Sequence, residues 1–392
     1  MNNIIKTILL IVVSIQLVNC LTVSQEASSS IEEIVASYGY PIEKHSVLTT
    51  DGYILTVHRI PFGKNGKTSN NKPILLQHGL CDSSFTWIFN LPGYGLGYIL
   101  ADQGYDVWMI NFRGNAYSLG HTKFTDKDSA FWDFSFDQLG LYDTPNTIDY
   151  ILRQTGATKC AIVGHSQGNQ AAWISFLRVA GFSNKVSYVA ALAPISTITN
   201  MRNDFFNVMA ELHVDGALVG LGFQRFLPKP STLRKEFILY CGLCKRCCAT
   251  GIEMLVGPHN GPFNDTRNPV ISGHEPAGTS LKNMQHFSQI KRNKKFQMFD
   301  YGKDNQKMYK QSSPPVYDLT KLPNNLNLAF FYGKEDVLST TTDVQILINQ
   351  LPKGVLKHSQ LVDNYAHIDF VWSLDANTLI YSKIIEQLKV YH

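Results

Sequence analysis

The chain has 392 residues, with 35 Lys and Arg against 31 Asp and Glu for a formal charge of +4. Apolar residues make up 44% and aromatics 11%, richer than a disordered chain, while charged residues are only 17%. So even a balance requires no basic stripe of the kind a nucleic-acid binder carries, and seven cysteines are too few for a disulfide-dense scaffold.

In chain order, residues 1–20 carry Lys6, an apolar run from Ile8 to Val13, and Val18 and Cys20 at the minus-three and minus-one positions before Leu21. That is the layout of a cleaved secretory signal, and the run is shorter than the roughly 20 residues a membrane span needs. No later stretch reaches 18 apolar residues, so the mature chain is expected to lack a span; it keeps six cysteines and a charge of +3. Residues 45–60 alternate across Asp51-Gly52, which predicts a hairpin. The run 73–77 predicts a short buried strand that ends at His78-Gly79-Leu80. A helix is expected over 92–103, a strand over 105–111, a helix over 136–154 and a strand over 158–163. A helix over 170–179 and a strand over 186–192 follow. Strands with continuous apolar character alternating with helices indicate an α/β fold, with a mostly parallel sheet covered on both faces.

The alternation breaks at Pro194. Residues 196–310 are helical and loop-rich, with Pro228, Pro230, Pro258, Pro262, Pro269 and Pro276. It resumes with a strand over 326–332, a helix over 341–350, a strand over 354–361 and a last helix over 374–389. The expected organisation is one α/β body, 21–195 and 311–392, interrupted by an inserted helical cap over 196–310. Phe205, Phe206, Leu218, Val219, Leu221, Phe223, Phe226 and Leu227 belong to this cap. They fit either an apolar acyl pocket or the cap's own core. The basic run Lys291, Arg292, Lys294 and Lys295 is expected to be a solvated helix face. Cys241, Cys244, Cys247 and Cys248 cluster without the second spaced pair of a zinc site, so a short-loop disulfide is expected rather than a metal. Cys160 falls in a strand as a small buried hydrophobe. Asn264-Asp265-Thr266 is a glycosylation sequon.

The chemistry centres on Gly164-His165-Ser166-Gln167-Gly168, which follows a strand and precedes a helix. In that setting G-x-S-x-G is a nucleophile elbow. Gly164 and Gly168 let neighbouring backbone pass close, His165 occupies the x position, and the turn lifts Ser166 above the sheet edge. A serine hydroxyl needs a base, and the base needs an orienting carboxylate. In this fold they follow in the order acid, then histidine. Asp336 follows the strand at 326–332, and His367 lies in the loop after the strand at 354–361. Glu335 is the nearest rival to Asp336; Asp343, His358 and Asp369 are the others. An oxyanion hole needs two N–H donors, expected from Gln167 and from Leu80. His78 is a second base or, beside its glycine, a residue that shapes the loop.

These blocks, with YGYPIEKHSVLTTDGYIL at 38–55, LLQHGL at 75–80, GYDVWMINFRGN at 104–115, GHEPAGTSLKNMQHFSQ at 273–289, GKEDVL at 333–338 and YAHIDF at 365–370, resemble the eukaryotic acid lipases, the group of gastric and lysosomal acid lipases. The resemblance implies an α/β-hydrolase fold with a cap or lid and no metal cofactor. It implies Ser166 as nucleophile, Asp336 as triad acid, His367 as base, and Leu80 and Gln167 as oxyanion donors. It also implies neutral lipid substrates at a lipid–water interface, triacylglycerols and possible cholesteryl esters, with a secreted or lysosomal destination. The family's cap disulfide ends at the position of Cys241, but Thr232 stands where its partner belongs. That leaves Cys241 to pair with Cys247 or Cys248, or to stay free. The same scaffold serves carboxylesterases, phospholipases and acyltransferases, and a silent lipid carrier is the non-enzymatic alternative.

Overall fold

The structure, a computed structural model, describes residues 21–66, 72–227 and 253–392. The expected signal over 1–20, and Thr232 and the cysteine cluster Cys241, Cys244, Cys247 and Cys248, lie outside the described residues. Among the described residues no helix is long and apolar enough to cross a membrane.

Among the described residues, eight strands run in series through the main sheet: β1 Glu43–Leu48, β2 Tyr53–Ile60, β3 Pro73–Gln77, β4 Asp106–Ile110, β5 Cys160–His165, β6 Val186–Leu192, β7 Leu328–Gly333 and β8 Leu356–Val362. Their order is β1-β2-β4-β3-β5-β6-β7-β8. The pairs β1–β2 and β2–β4 are antiparallel and the rest are parallel. A further two-residue strand, Gly120–His121, pairs with β2.

The central strands alternate between two cores, because successive side chains leave opposite faces of a strand. On one face lie Leu75, Cys160, Ile162, Val189, Ala191, Leu328 and Phe330. On the other lie Ile74, Leu76, Ala161, Val163, Ala190, Leu192, Ala329 and Phe331. Both faces are buried, which is why these strands read as unbroken apolar runs. Cys160 is fully buried, as expected of a small hydrophobe. The β1–β2 turn is tied in by Arg113, whose guanidinium reaches Asp51 at 2.6 Å and the buried Asp143 at 2.6 Å.

The helix expected over 136–154 is three pieces: Phe136–Gln138, a π turn Leu139–Asp143 and Thr144–Thr155. The last expected helix likewise opens with a π turn, Asn377–Tyr381, before Ser382–Tyr391. The helix Ile31–Ser37 starts with a capping box between Ser30 and Glu33.

Between β6 and β7 the chain forms helices Asp204–Glu211, Val214–Gly220, Asn268–His274, Leu281–Asn293 and Asn305–Tyr309. Met209, Leu281 and Met284 make a small core there, with Phe205, Phe206, Leu218 and Phe226 against it. A two-stranded ribbon pairs Arg225–Phe226 with Thr279–Ser280. Val219, Leu221 and Phe223 are exposed instead. The basic run is not a plain solvated face. Lys291 Nζ donates to the Thr199 and Met201 carbonyls, both at 3.0 Å, and Arg292 donates to the Ala210 carbonyl at 2.7 Å. Both side chains fasten the helix to its neighbours.

Candidate active site

Four loops converge at the C-terminal ends of parallel strands β3, β5, β7 and β8, where open α/β sheets place their ligands. Ser166 follows β5 directly and caps the helix Gln167–Arg178, with φ 53° and ψ −118°. A non-glycine residue at positive φ is held there by its surroundings. The Ser166 N–H donates to the Leu192 carbonyl at 3.0 Å, and Asn169 Nδ2 donates to the same oxygen at 2.9 Å. A Cβ on Gly168 would stand 2.5 Å from the Gln77 carbonyl oxygen, and one on Gly164 2.4 Å from Asn169 Oδ1. The sharp turn therefore has no room for a side chain at either position.

Ser166 Oγ lies 2.8 Å from His367 Nε2, and His367 Nδ1 lies 2.9 Å from Asp336 Oδ2. An ionised carboxylate only accepts, so Nδ1 carries the proton and the unprotonated Nε2 accepts from the serine hydroxyl. Asp336 is fully buried, and its other oxygen accepts from the Leu338 and Ser339 N–H groups, both at 2.8 Å. Both oxygens of the carboxylate are thus committed. The rivals sit elsewhere. Glu335 is exposed, Asp343 binds Asn200, and His358 packs on Phe331.

Three groups outside the serine–histidine–aspartate chain set its geometry. The His165 Nε2–H donates to the His367 carbonyl at 2.9 Å. Burial, aided by the neighbouring His367, depresses His165 to about 3, so its ring stays neutral. Asp369 Oδ2 accepts from Ala366 N–H at 2.8 Å and Asn260 N–H at 3.0 Å, joining the His367 loop to the insertion. His78 Nδ1–H donates to the Gly79 carbonyl at 2.8 Å while Nε2 accepts from Phe112 N–H at 3.0 Å. Both ring nitrogens are used, and burial lowers His78 to about 4. His78 therefore shapes the loop, the second of the two readings its position allowed. Sequence reasoning missed the roles of His165 and Asp369, because His367 and Asn260, the partners that give them those roles, lie far away in the chain.

Gln167 opens its helix, so its N–H has no intrahelical acceptor. Leu80 lies on the loop after β3 and lines a cavity of about 310 Å³ together with Ser166 and His367. The walls are mainly apolar. Ile195, Leu338 and Trp372 come from the body, and Ile198, Phe206, Phe226, Leu227 and Met284 from the insertion. Two buried acids, Asp82 and Glu275, also line it, unforeseen from the sequence. Asn264 caps a short 3₁₀ turn at Asp265–Arg267 and accepts from the Thr266 N–H at 3.3 Å.

This arrangement can perform nucleophilic acyl transfer on an apolar ester. A family model described as a partial alpha/beta-hydrolase lipase region matches residues 31–91, and one for the alpha/beta hydrolase fold matches 72–214. Gastric triacylglycerol lipase of Bos taurus is 38% identical, covering 92% of this chain and 91% of its own. Lysosomal acid lipase/cholesteryl ester hydrolase of Macaca fascicularis is 37% identical, covering 94% and 93%. In fold, the chain is similar to a monoglyceride lipase of Saccharomyces cerevisiae, with TM-score 0.55, 12% identity and coverage of 90% and 98%. It is also similar to a carboxylesterase of Bacillus subtilis, with TM-score 0.50, 12% identity and coverage of 93% and 95%.

Proposed function

Because the chain belongs to the eukaryotic acid lipase family and is a carboxylic ester hydrolase of the α/β-hydrolase fold, we propose that it is a secretory-pathway serine lipase. Its substrates in this reading are neutral lipids, triacylglycerols and cholesteryl esters. The observation that carries the reading is the hydrogen-bonded series Ser166, His367, Asp336 opening into an apolar cavity of about 310 Å³.

In this reading Ser166 Oγ attacks the ester carbonyl while His367 Nε2 takes its proton. The tetrahedral oxyanion is held by the Leu80 and Gln167 N–H groups, each worth roughly 10²–10³ in rate. The ester C–O bond breaks, and His367 returns the proton to the leaving alcohol. Water, deprotonated by His367, then attacks the acyl-enzyme. The fatty acid leaves and Ser166 regains its hydroxyl. Asp336 fixes the imidazole tautomer and stabilises its charged form.

Residues 196–310 act as the cap, since Phe206, Phe226, Leu227 and Met284 supply cavity wall. Leu212, Leu221 and Phe223 are exposed at 71%, 75% and 56%, and such apolar exposure suits contact with a lipid surface. Residues 1–20 supply the export signal, and Asn264 is the glycan acceptor.

The test is turnover of emulsified triolein, cholesteryl oleate and a short soluble ester by purified protein across pH, with Ser166→Ala in parallel. The reading expects hydrolysis of the emulsified lipids and its loss in the variant. Hydrolysis of the soluble ester alone would contradict the lipase assignment.

A further inference from the structure

The cavity wall carries a polar feature that the ester chemistry does not use. Asp82 and Glu275 are 9% and 8% exposed and sit among apolar neighbours. Ser83 bridges them, its N–H donating to Asp82 Oδ1 at 2.8 Å and its hydroxyl to Glu275. Two carboxyls this close, both buried on one apolar wall, do not both ionise, so one of the pair is an acid.

The pair joins two segments. Asp82 Oδ1 accepts from Ser83 N–H at 2.8 Å, and the Asp82 N–H donates to the Gly79 carbonyl at 3.4 Å. The Ser83 hydroxyl donates to Glu275. Two residues on, Ala277 N–H donates to the Cys81 carbonyl at 2.7 Å. Residues 79–83 are thus fastened to residues 275–277 of the insertion by the Ser83–Glu275 and Ala277–Cys81 hydrogen bonds, and Leu80 sits inside the fastened loop.

The other titratable groups around the pair supply no positive charge from within the loop. Burial and both carboxylates push the Cys81 thiol up, and burial keeps His78 neutral. His274 is directed to the Glu26 carbonyl and the Tyr117 hydroxyl. His165, His367 and Lys291 line the same cavity, and Lys291 is held by the Thr199 and Met201 carbonyls.

We infer that Asp82 and Glu275 share one proton, and that this proton clamps residues 79–83, and with them the Leu80 N–H, to the insertion. When it leaves to solvent, two adjacent buried carboxylates repel each other and the loop parts from residues 275–277. The inference rests on the proposed role of Leu80 as an oxyanion donor. Asp82 and Glu275 are then positioning residues that add an alkaline limb to turnover. Burial, which holds the Asp82 carboxyl at about 7, sets where that limb falls.

The experiment is kcat and KM for a soluble ester from pH 5.5 to 8.5 in wild type, Glu275→Gln and Asp82→Asn, with melting temperatures for each. An amide donates the needed hydrogen bond without a titrating proton. The ratio of kcat at pH 5.5 to kcat at pH 8.5 is expected to be about 30 times higher in wild type than in either variant, as for one extra group titrating midway, because the limb set by the His367 base is common to all three. KM changes little. Should one variant fail to fold, the other carries the test. An unchanged ratio in the amide variants overturns the shared proton. A ratio that flattens in KM or melting temperature but not in kcat overturns the link to Leu80. Turnover surviving in Ser166→Ala, run alongside, overturns the underlying catalytic reading instead.

Discussion

In the body, the central strands are buried on both faces between two extended cores; the loops that carry Ser166 and Asp336 leave the ends of two of them, and the His367 loop follows the half-exposed edge strand β8. Among the described residues of the insertion, Met209, Leu281 and Met284 form a core of three side chains, with Leu212, Leu221 and Phe223 left exposed nearby. The two regions share one cavity. Groups that must be held within tenths of an ångström stand on the stiff part, and much of the apolar wall stands on the part with little packing of its own. Catalytic precision and substrate contact are thus assigned to scaffolds of different stability.

Ser166→Ala is the largest expected break in this division. It should lower turnover by about 10⁴-fold or more while the melting temperature holds, because the serine contributes chemistry and little packing. Asp336→Asn should follow, with a loss of roughly 10³–10⁴-fold in kcat from the wrong imidazole tautomer. If either variant also unfolded the protein, the site would be part of the body's stability and the division would blur.

Stability variants sharpen the same contrast. Arg113→Met leaves the fully buried Asp143 without its ion partner and should cost about 3–5 kcal/mol in denaturant unfolding. Met284→Ala, in the three-residue core beside the cavity, should cost about 2 kcal/mol, the low end for such truncations, because the site can collapse. Leu221→Ser with Phe223→Ser should change stability by only about 0.5 kcal/mol or less. On emulsified triolein the pair should lower the rate severalfold, and on a soluble ester leave it as it was.

A further effect concerns pH. Asp82 ordinarily titrates at 3.8 and is raised by burial to about 7, so the folded state holds its proton where the unfolded chain has lost it. That contribution is complete below about 4 and disappears as pH rises through about 7. The melting temperature of wild type should therefore fall by about 2–4 °C more than that of Asp82→Asn across this interval. Parallel curves would show that the pair does not tie the insertion to the body.

Legibility in the sequence follows the same boundary. β3, β6 and the helix Thr341–Gln350 fall where their runs predict, because continuous apolar stretches with clear ends leave little choice. The π turn at Leu139–Asp143 does not show in the helical period. Gly140 packs so closely on Ile174 there that a Cβ would meet it at 2.4 Å. The helix Ile31–Ser37 does announce itself, through Ser30 and Glu33 as a capping box, a local signal that the alternation pattern passes over. The helices at Asp204–Glu211 and Val214–Gly220 are hard to separate by pattern, because their apolar residues divide between a small core, the cavity and solvent. Ser166, Asp336 and His367 could be read from motif and order. The bond from His165 to His367, the bracing by Asp369 and the Asp82–Glu275 pair could not, since each joins segments whose meeting only the fold decides.

The most direct test of the central claim is the site of covalent labelling by a fluorophosphonate, mapped by mass spectrometry in wild type and in Ser166→Ala. The account predicts one adduct, on Ser166, and none in the variant. An adduct on another residue, or equal labelling of Ser166→Ala, would contradict it.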